Sequence, residues 1–111
     1  MKHLVLFLAL CSAGTAAWAQ ESPEAITPEQ VRQYQEKRTA SCTEDASQPG
    51  SDPEKGAQWC RCLASQLADH VSMPEWQAAA FHARKHHVRE ETKILQPYLR
   101  RAANACRLPA G

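Results

Sequence analysis

The sequence predicts an all-α fold, a small disulfide-stapled bundle of three to four helices. Three observations support this class. Helix-start signals precede segments whose apolar residues recur at helical spacing. No segment alternates apolar and polar positions among β-branched residues, as a half-buried strand would. Four of the five cysteines lie beyond the first nineteen residues, and an even number in a short exported chain is typical of a disulfide framework.

Residues 1–19 have the features of a secretory signal peptide. Lys2 supplies a positive start, residues 4–10 are apolar, and residues 17–19 form an Ala-Trp-Ala cleavage site. Cys11 offers a second interpretation, because lipoprotein signals end at a cysteine that becomes acylated. The apolar run is shorter than the roughly 20 residues that span a membrane. We therefore expect a periplasmic or secreted protein with no membrane span.

The first helix has an unusually complete start signal. Residues 20–25 are polar around a proline, so residues 20–26 are expected to form a flexible arm and the helical domain is predicted to cover residues 27–111. Thr27 is placed as N-cap and Gln30 completes a capping box with it. We expect this helix to run from Pro28 to Cys42.

The second and third helices are predicted to form an antiparallel hairpin. Asp52 caps the second helix, and Ser72 with Glu75 forms a capping box at the start of the third. The short connection between them indicates neighbouring antiparallel helices. Pro97 is expected to end the third helix, after which a last short helix reaches Cys106. The apolar stripe of the second helix comprises Cys60, Leu63, Ala64, Leu67 and Val71.

The cysteine spacing restricts the disulfide pairing. Cys60 and Cys62 are two positions apart on a helix, so their side chains point about 200° apart. This geometry disfavours a bond between them, so each is expected to pair with Cys42 or Cys106. Two pairings stay open, Cys42–Cys60 with Cys62–Cys106, or Cys42–Cys62 with Cys60–Cys106. A redox role for Cys60 or Cys62 is an alternative hypothesis, but redox enzymes rely on a Cys-x-x-Cys at a helix start.

A short motif around this cysteine pair resembles a group of known proteins. Residues 59–63 read Trp-Cys-Arg-Cys-Leu, and Leu67, Ser72 and Glu75 follow. This arrangement resembles small exported bacterial helical proteins in which an aromatic-Cys-x-Cys helix leads into a capped second helix. The resemblance implies a disulfide-linked helical fold and an envelope location. It implies no activity and assigns no role to any residue.

The charges balance overall but not along the chain. Without Lys2, the chain has twelve basic and twelve acidic residues. Residues 20–72 hold five basic and nine acidic residues, whereas residues 73–111 hold seven and three. A solvated helix surface explains this asymmetry, and the basic half has no known nucleic-acid motif. We therefore expect no nucleic-acid partner.

Histidines provide the candidate metal site. His82 and His86 are four apart on the predicted third helix, and Glu90 extends the same face by a turn. Such a set could hold Zn²⁺, Ni²⁺ or Cu²⁺. His87 points about 100° away and belongs to the apolar side. The alternative is a solvated helix surface, because cationic neighbours such as Arg84 repel a metal ion.

A binding role fits the sequence best. No glycine-rich phosphate loop, nucleophile elbow or haem-attachment motif occurs in the chain, so we expect no enzyme. The leading hypothesis is a non-enzymatic helical module that binds another protein, such as an envelope assembly, a toxin or a misfolded client. Trp59 is the interaction candidate, because it flanks the main stripe on the Cys62 side. Metal binding and thiol–disulfide exchange are the rival hypotheses.

Overall fold

Four α-helices make up most of the chain that the computed structural model describes, residues 22–107. The signal peptide predicted for residues 1–19 lies outside this range. Both the all-α class and the disulfide-stapled bundle are confirmed. Within the described range, no helix combines the length and the apolar character needed to traverse a bilayer. The helices are α1 (Pro28–Ala46), α2 (Pro53–His70), α3 (Met73–Arg84) and α4 (Val88–Cys106).

The first three helices begin at the caps that the sequence predicts. The Thr27 N–H donates to the Gln30 side chain at 2.8 Å, while the Gln30 N–H donates to the Thr27 hydroxyl. Asp52 accepts from two backbone N–H groups in the first turn of α2. Ser72 and Glu75 form the second capping box. Each such cap stabilises its helix by about 1 kcal/mol, so local signals determine where α1, α2 and α3 start.

The core lies where the N-terminal half of α1, the C-terminal end of α2, α3 and α4 meet. Trp76 is its largest buried side chain, and the Tyr34 ring meets it edge-on with centroids 6.1 Å apart. Ala79 and Ala80 are buried on α3, and such small side chains let neighbouring helices approach closely. The buried cluster comprises Ile26, Val31, Leu67, Val71, Trp76, Ala79, Ala80 and Leu95.

The segment before α1 differs from the expected flexible arm. Of residues 20–26, the structure describes 22–26, and Pro23–Ala25 form one 3₁₀ turn. Ile26 is only 3% exposed and belongs to the core. Its carbonyl accepts a hydrogen bond from the Gln77 side chain at 2.8 Å, which ties the segment to α3. An apolar residue just before the N-cap thus anchors a stretch whose composition is otherwise that of a loose terminus.

The helix break expected at Pro97 lies instead at residues 85–87. Here α3 ends, and His86 adopts the left-handed conformation with φ of 58°. Pro97 sits inside α4, exposed to solvent, and does not interrupt it. An interior proline costs a helix about 3 kcal/mol. The buried face of α4 and its cross-link at Cys106 hold both halves of the helix in place, so tertiary packing outweighs the local cost.

Helix α3 ends in a Schellman motif that lacks the usual glycine. The His86 N–H donates to the Ala83 carbonyl at 3.2 Å, and the His87 N–H donates to the His82 carbonyl at 2.8 Å. These are the two backbone hydrogen bonds of that motif, with His86 at the left-handed position. A side chain with a Cβ is strained in this conformation, whereas glycine is not.

Replacing His86 with glycine is expected to raise the free energy of unfolding by about 0.5–1 kcal/mol. The change relieves the left-handed strain, partly offset by the greater freedom of glycine in the unfolded chain. Urea denaturation of the oxidised protein measures it. Arg84→Gly is the matched control in the last turn of α3 and should lower stability by about 1 kcal/mol. If both glycines destabilise equally, the assignment of strain to His86 is wrong.

Candidate functional site

Two disulfides fix the helices around α2. Cys42 bonds to Cys60, and Cys62 bonds to Cys106, with Cα–Cα distances of 5.8 Å in both bridges. This is the first of the two pairings that the sequence leaves open. Both distances lie in the most common range for disulfides. Helix α2 is therefore cross-linked on one side to α1 and on the other to α4.

A close approach of α1 and α2 supports the first bridge. Gly56 lies beside the end of α1, where a Cβ added to it would stand 2.4 Å from the Ala46 Cβ. Only a residue without a side chain permits this spacing. One turn further along α2, Cys60 is 2% exposed and faces α1. The contact therefore seats Cys60 against α1, where it bonds to Cys42.

Beside this bridge runs a groove between α1, α2 and α3 with a volume of about 980 Å³. Trp59 lies at its edge with 37% of its surface exposed. A large aromatic side chain that is partly exposed beside a groove is the kind of residue that dominates binding at protein interfaces. The residues that line the groove include Lys37, Arg38, Cys42, Trp59, Ala83 and Arg84.

One end of the groove is held by a polar network that joins α1 to α4. The Tyr34 hydroxyl and Arg38 Nη1 both donate to Oε2 of Glu91, the latter at 3.1 Å. Burial and the bond to Glu91 raise the pKa of Tyr34 well above its ordinary value, so the phenol stays protonated and donating. Glu91 is only 18% exposed, which makes this pair better shielded from water than a surface ion pair.

The rim of the groove carries an excess of positive charge. Lys37, Arg38 and Arg84 are its cations, and Asp45 and Glu91 are its acids. Glu91 is hydrogen-bonded to Arg38, so these two charges offset each other. The remaining charges at the rim are two positive ones, on Lys37 and Arg84, and one negative one, on Asp45. Among the ion pairs of residues 22–107, neither of these two cations has a partner. The groove is thus apolar in part and cationic at its edge.

A second groove of about 880 Å³ lies on another face of α1 and α2. Half of the residues that line it are alanine, serine or threonine, such as Thr39 and Ala64, and the others include charged side chains such as Arg32 and Glu36. Trp76 reaches it from the core but is only 4% exposed. This groove therefore lacks an exposed anchor comparable with Trp59.

The structure separates the residues of the predicted metal site. His82 is on α3, His86 is in the turn, and Glu90 is in the first turn of α4, so the three do not share one helical face as expected. No three His, Cys, Asp or Glu side chains in residues 22–107 lie close enough to hold one metal ion. Instead, Nδ1 of His82 is 3.3 Å from Nδ1 of His87. This pair was not predicted, because on an unbroken helix His82 and His87 would point in different directions.

Comparison with protein families, curated proteins and solved structures finds no match for this chain. The resemblance to small exported helical proteins therefore stays a prediction. The function has to be inferred from the groove and from the side chains around it.

Proposed function

We propose that the protein is a non-enzymatic helical module that acts in the periplasm or after secretion and binds a segment of another protein. The groove beside the Cys42–Cys60 bridge is the binding site. The observation that carries this proposal is Trp59, a large aromatic side chain 37% exposed at the edge of a groove of about 980 Å³. Exposed aromatic anchors of this kind often supply much of the binding energy of an interface.

The walls of the groove are rigid, which favours binding. The Cys42–Cys60 bridge fixes α1 against α2, and the Tyr34–Glu91–Arg38 network fixes α1 against α4. A surface that is already ordered loses little conformational entropy when a partner docks. Disulfides also suit a protein that works outside the reducing cytoplasm.

The chemistry of the groove points to an amphipathic helical segment with acidic residues. A groove between helices accepts the apolar face of another helix, with side chains inserted at helical spacing. Lys37 and Arg84 at the rim would attract carboxylates flanking that apolar face. Components of envelope assemblies, toxins and misfolded clients can all present such segments.

The placement of the cysteines argues against the redox alternative. One cysteine of each bridge is buried, Cys60 at 2% and Cys106 at 6% exposure, whereas Cys42 and Cys62 are partly exposed. Exchange enzymes rely on a Cys-x-x-Cys at a helix start, whereas Cys60 and Cys62 form a Cys-x-Cys well inside α2, which begins at Pro53. Both bridges are therefore better explained as structural cross-links.

Trp59→Ala is expected to weaken partner binding by about 30-fold or more, equivalent to about 2 kcal/mol, because the mutation removes the exposed aromatic anchor. The partner is first trapped by a photoreactive phenylalanine analogue placed at position 59 of the exported protein. Its affinity for the purified, oxidised protein is then measured by calorimetry. Lys37→Glu with Arg84→Glu should also weaken binding and reduce its dependence on salt.

Met73 provides the matched control. It is 45% exposed at the start of α3 and does not line the groove. Met73→Ala should bind as the wild type does, and the photoreactive residue at position 73 should not trap the same partner. Equal affinities for the Trp59→Ala and Met73→Ala proteins would contradict the proposed site.

A further inference from the structure

The turn between α3 and α4 brings two imidazole rings together. In a Schellman motif, one of the two backbone hydrogen bonds joins residues that are five positions apart, and the side chains of these two residues usually make an apolar contact at the helix end. Here these residues are His82 and His87, joined by the 2.8 Å bond between the His87 N–H and the His82 carbonyl. Their ring centroids are 5.5 Å apart. The backbone therefore pre-organises two nitrogen ligands where the motif normally buries carbon.

The separation of the two nitrogens suits a tetrahedral metal ion. Nδ1 of His82 and Nδ1 of His87 are 3.3 Å apart. Two Zn–N bonds of about 2.0–2.1 Å at a tetrahedral angle separate their nitrogens by about 3.3–3.4 Å. A right angle between bonds of that length, as in square-planar Cu²⁺ or Ni²⁺ sites, would require about 2.8–3.0 Å. The contact, a hydrogen bond between the two rings, thus already holds the nitrogens at the spacing that a tetrahedral Zn²⁺ ion needs.

We propose that His82 and His87 form a Zn²⁺ site at the α3–α4 turn, each binding the ion through Nδ1. The two rings supply half of a tetrahedral set, and the remaining positions are open to water or to a ligand from another molecule. His86 and Glu90 are not part of this site. The site is separate from the groove function proposed above and does not depend on it.

Neighbouring side chains orient one ring and leave the other accessible. The Phe81 ring packs edge-on against His82 with centroids 5.3 Å apart, which restricts rotation of that imidazole. His87 is exposed, so an ion can reach the pair from solvent. Lys85 lies over the Phe81 ring at 5.9 Å, and its positive charge lowers the affinity of the nearby site without blocking it.

Titration of the oxidised protein with zinc chloride, followed by calorimetry, tests the assignment. The wild type should bind one Zn²⁺ per chain. His82→Gln and His87→Gln should each weaken binding by about 100-fold or more, because each removes one of two protein ligands. His86→Asn is the matched control, since asparagine tolerates the left-handed conformation, and it should change the affinity by less than about threefold.

The variants separate this site from the helical-face hypothesis of the sequence. Loss of binding in His86→Asn, with His87→Gln unaffected, would overturn the proposal. A wild-type dissociation constant weaker than about 1 mM would overturn it as well. Zinc should also raise the melting temperature of the wild type but not of His87→Gln, because an ion that binds the folded state stabilises it by mass action. Since position 87 is exposed, its variant is expected to fold, and circular dichroism checks this.

Discussion

Replacing Cys62 and Cys106 together with alanine should lower the free energy of unfolding by about 4 kcal/mol. The bridge between them joins residues 44 apart, so its removal frees a long loop in the unfolded chain. That loss is comparable with much of the stability of a small domain, which totals about 5–15 kcal/mol. Denaturation of wild type and variant in guanidinium under oxidising conditions provides the measurement.

The other bridge supplies the internal comparison. Cys42 and Cys60 are 18 residues apart, so the corresponding double alanine variant should lose about 3 kcal/mol by the same loop-entropy relation. Hydrogen exchange distinguishes the two variants by location. Removal of Cys62–Cys106 should accelerate exchange at the end of α4, and removal of Cys42–Cys60 should do so at the end of α1. A double variant that unfolds at the wild-type denaturant concentration would refute a structural role for its bridge.

Trp76→Ala should lower the free energy of unfolding by about 3–5 kcal/mol, the usual cost of emptying a large aromatic site in a core. Trp76 is 4% exposed and contacts the edge of the Tyr34 ring. Its removal leaves a cavity among α1, α2 and α3 that the disulfides prevent from collapsing fully. Urea denaturation of the oxidised protein, with tyrosine fluorescence and circular dichroism as probes, measures the loss.

Trp59→Ala is the matched control, because it deletes the same side chain from an exposed position. Trp59 retains 37% of its exposure at the edge of the groove, and its removal should cost no more than about 1–2 kcal/mol. The two tryptophans thus differ in role: Trp76 supports the fold, whereas Trp59 is the side chain that we propose binds a partner. Similar losses for both variants would contradict this division.

Features encoded by neighbouring residues could be predicted from the sequence. The caps at Thr27, Asp52 and Ser72 are each recognised within four residues, and the structure confirms all three. The geometry of a Cys-x-Cys pair on a helix likewise predicted that Cys60 and Cys62 bond to different partners, as the structure shows. The choice between the two possible pairings required tertiary information, because it depends on which side of α2 meets α1.

The turn between α3 and α4 could not be predicted because its usual signal is absent. A helix end of this kind normally carries glycine at the left-handed position, and this chain has His86 there. Pro97, the obvious helix breaker, is accommodated within α4. This also affected the predicted metal site. The position at which the helix ends determines whether His86 or His87 lies beside His82.

The groove also could not be predicted from local sequence patterns. Trp59 was identified from its position beside the apolar stripe, and it lines the groove next to Cys60 and Cys42. The network that closes one end of the groove joins Tyr34 to Glu91, which are 57 residues apart. No periodicity within one helix can reveal a partner at that distance. A tyrosine on one helix and a glutamate on another are brought into contact only by the packing of the helices.

Peptide mapping of the oxidised, unreduced protein tests the cross-linked arrangement around α2 most directly. Trypsin cleaves after Arg61 and so separates the two central cysteines into different peptides. The structure predicts that mass spectrometry will find residues 39–55 joined to residues 56–61, and residues 62–84 joined to residues 102–107. Residues 39–55 joined to residues 62–84, or peptides with free thiols, would contradict it.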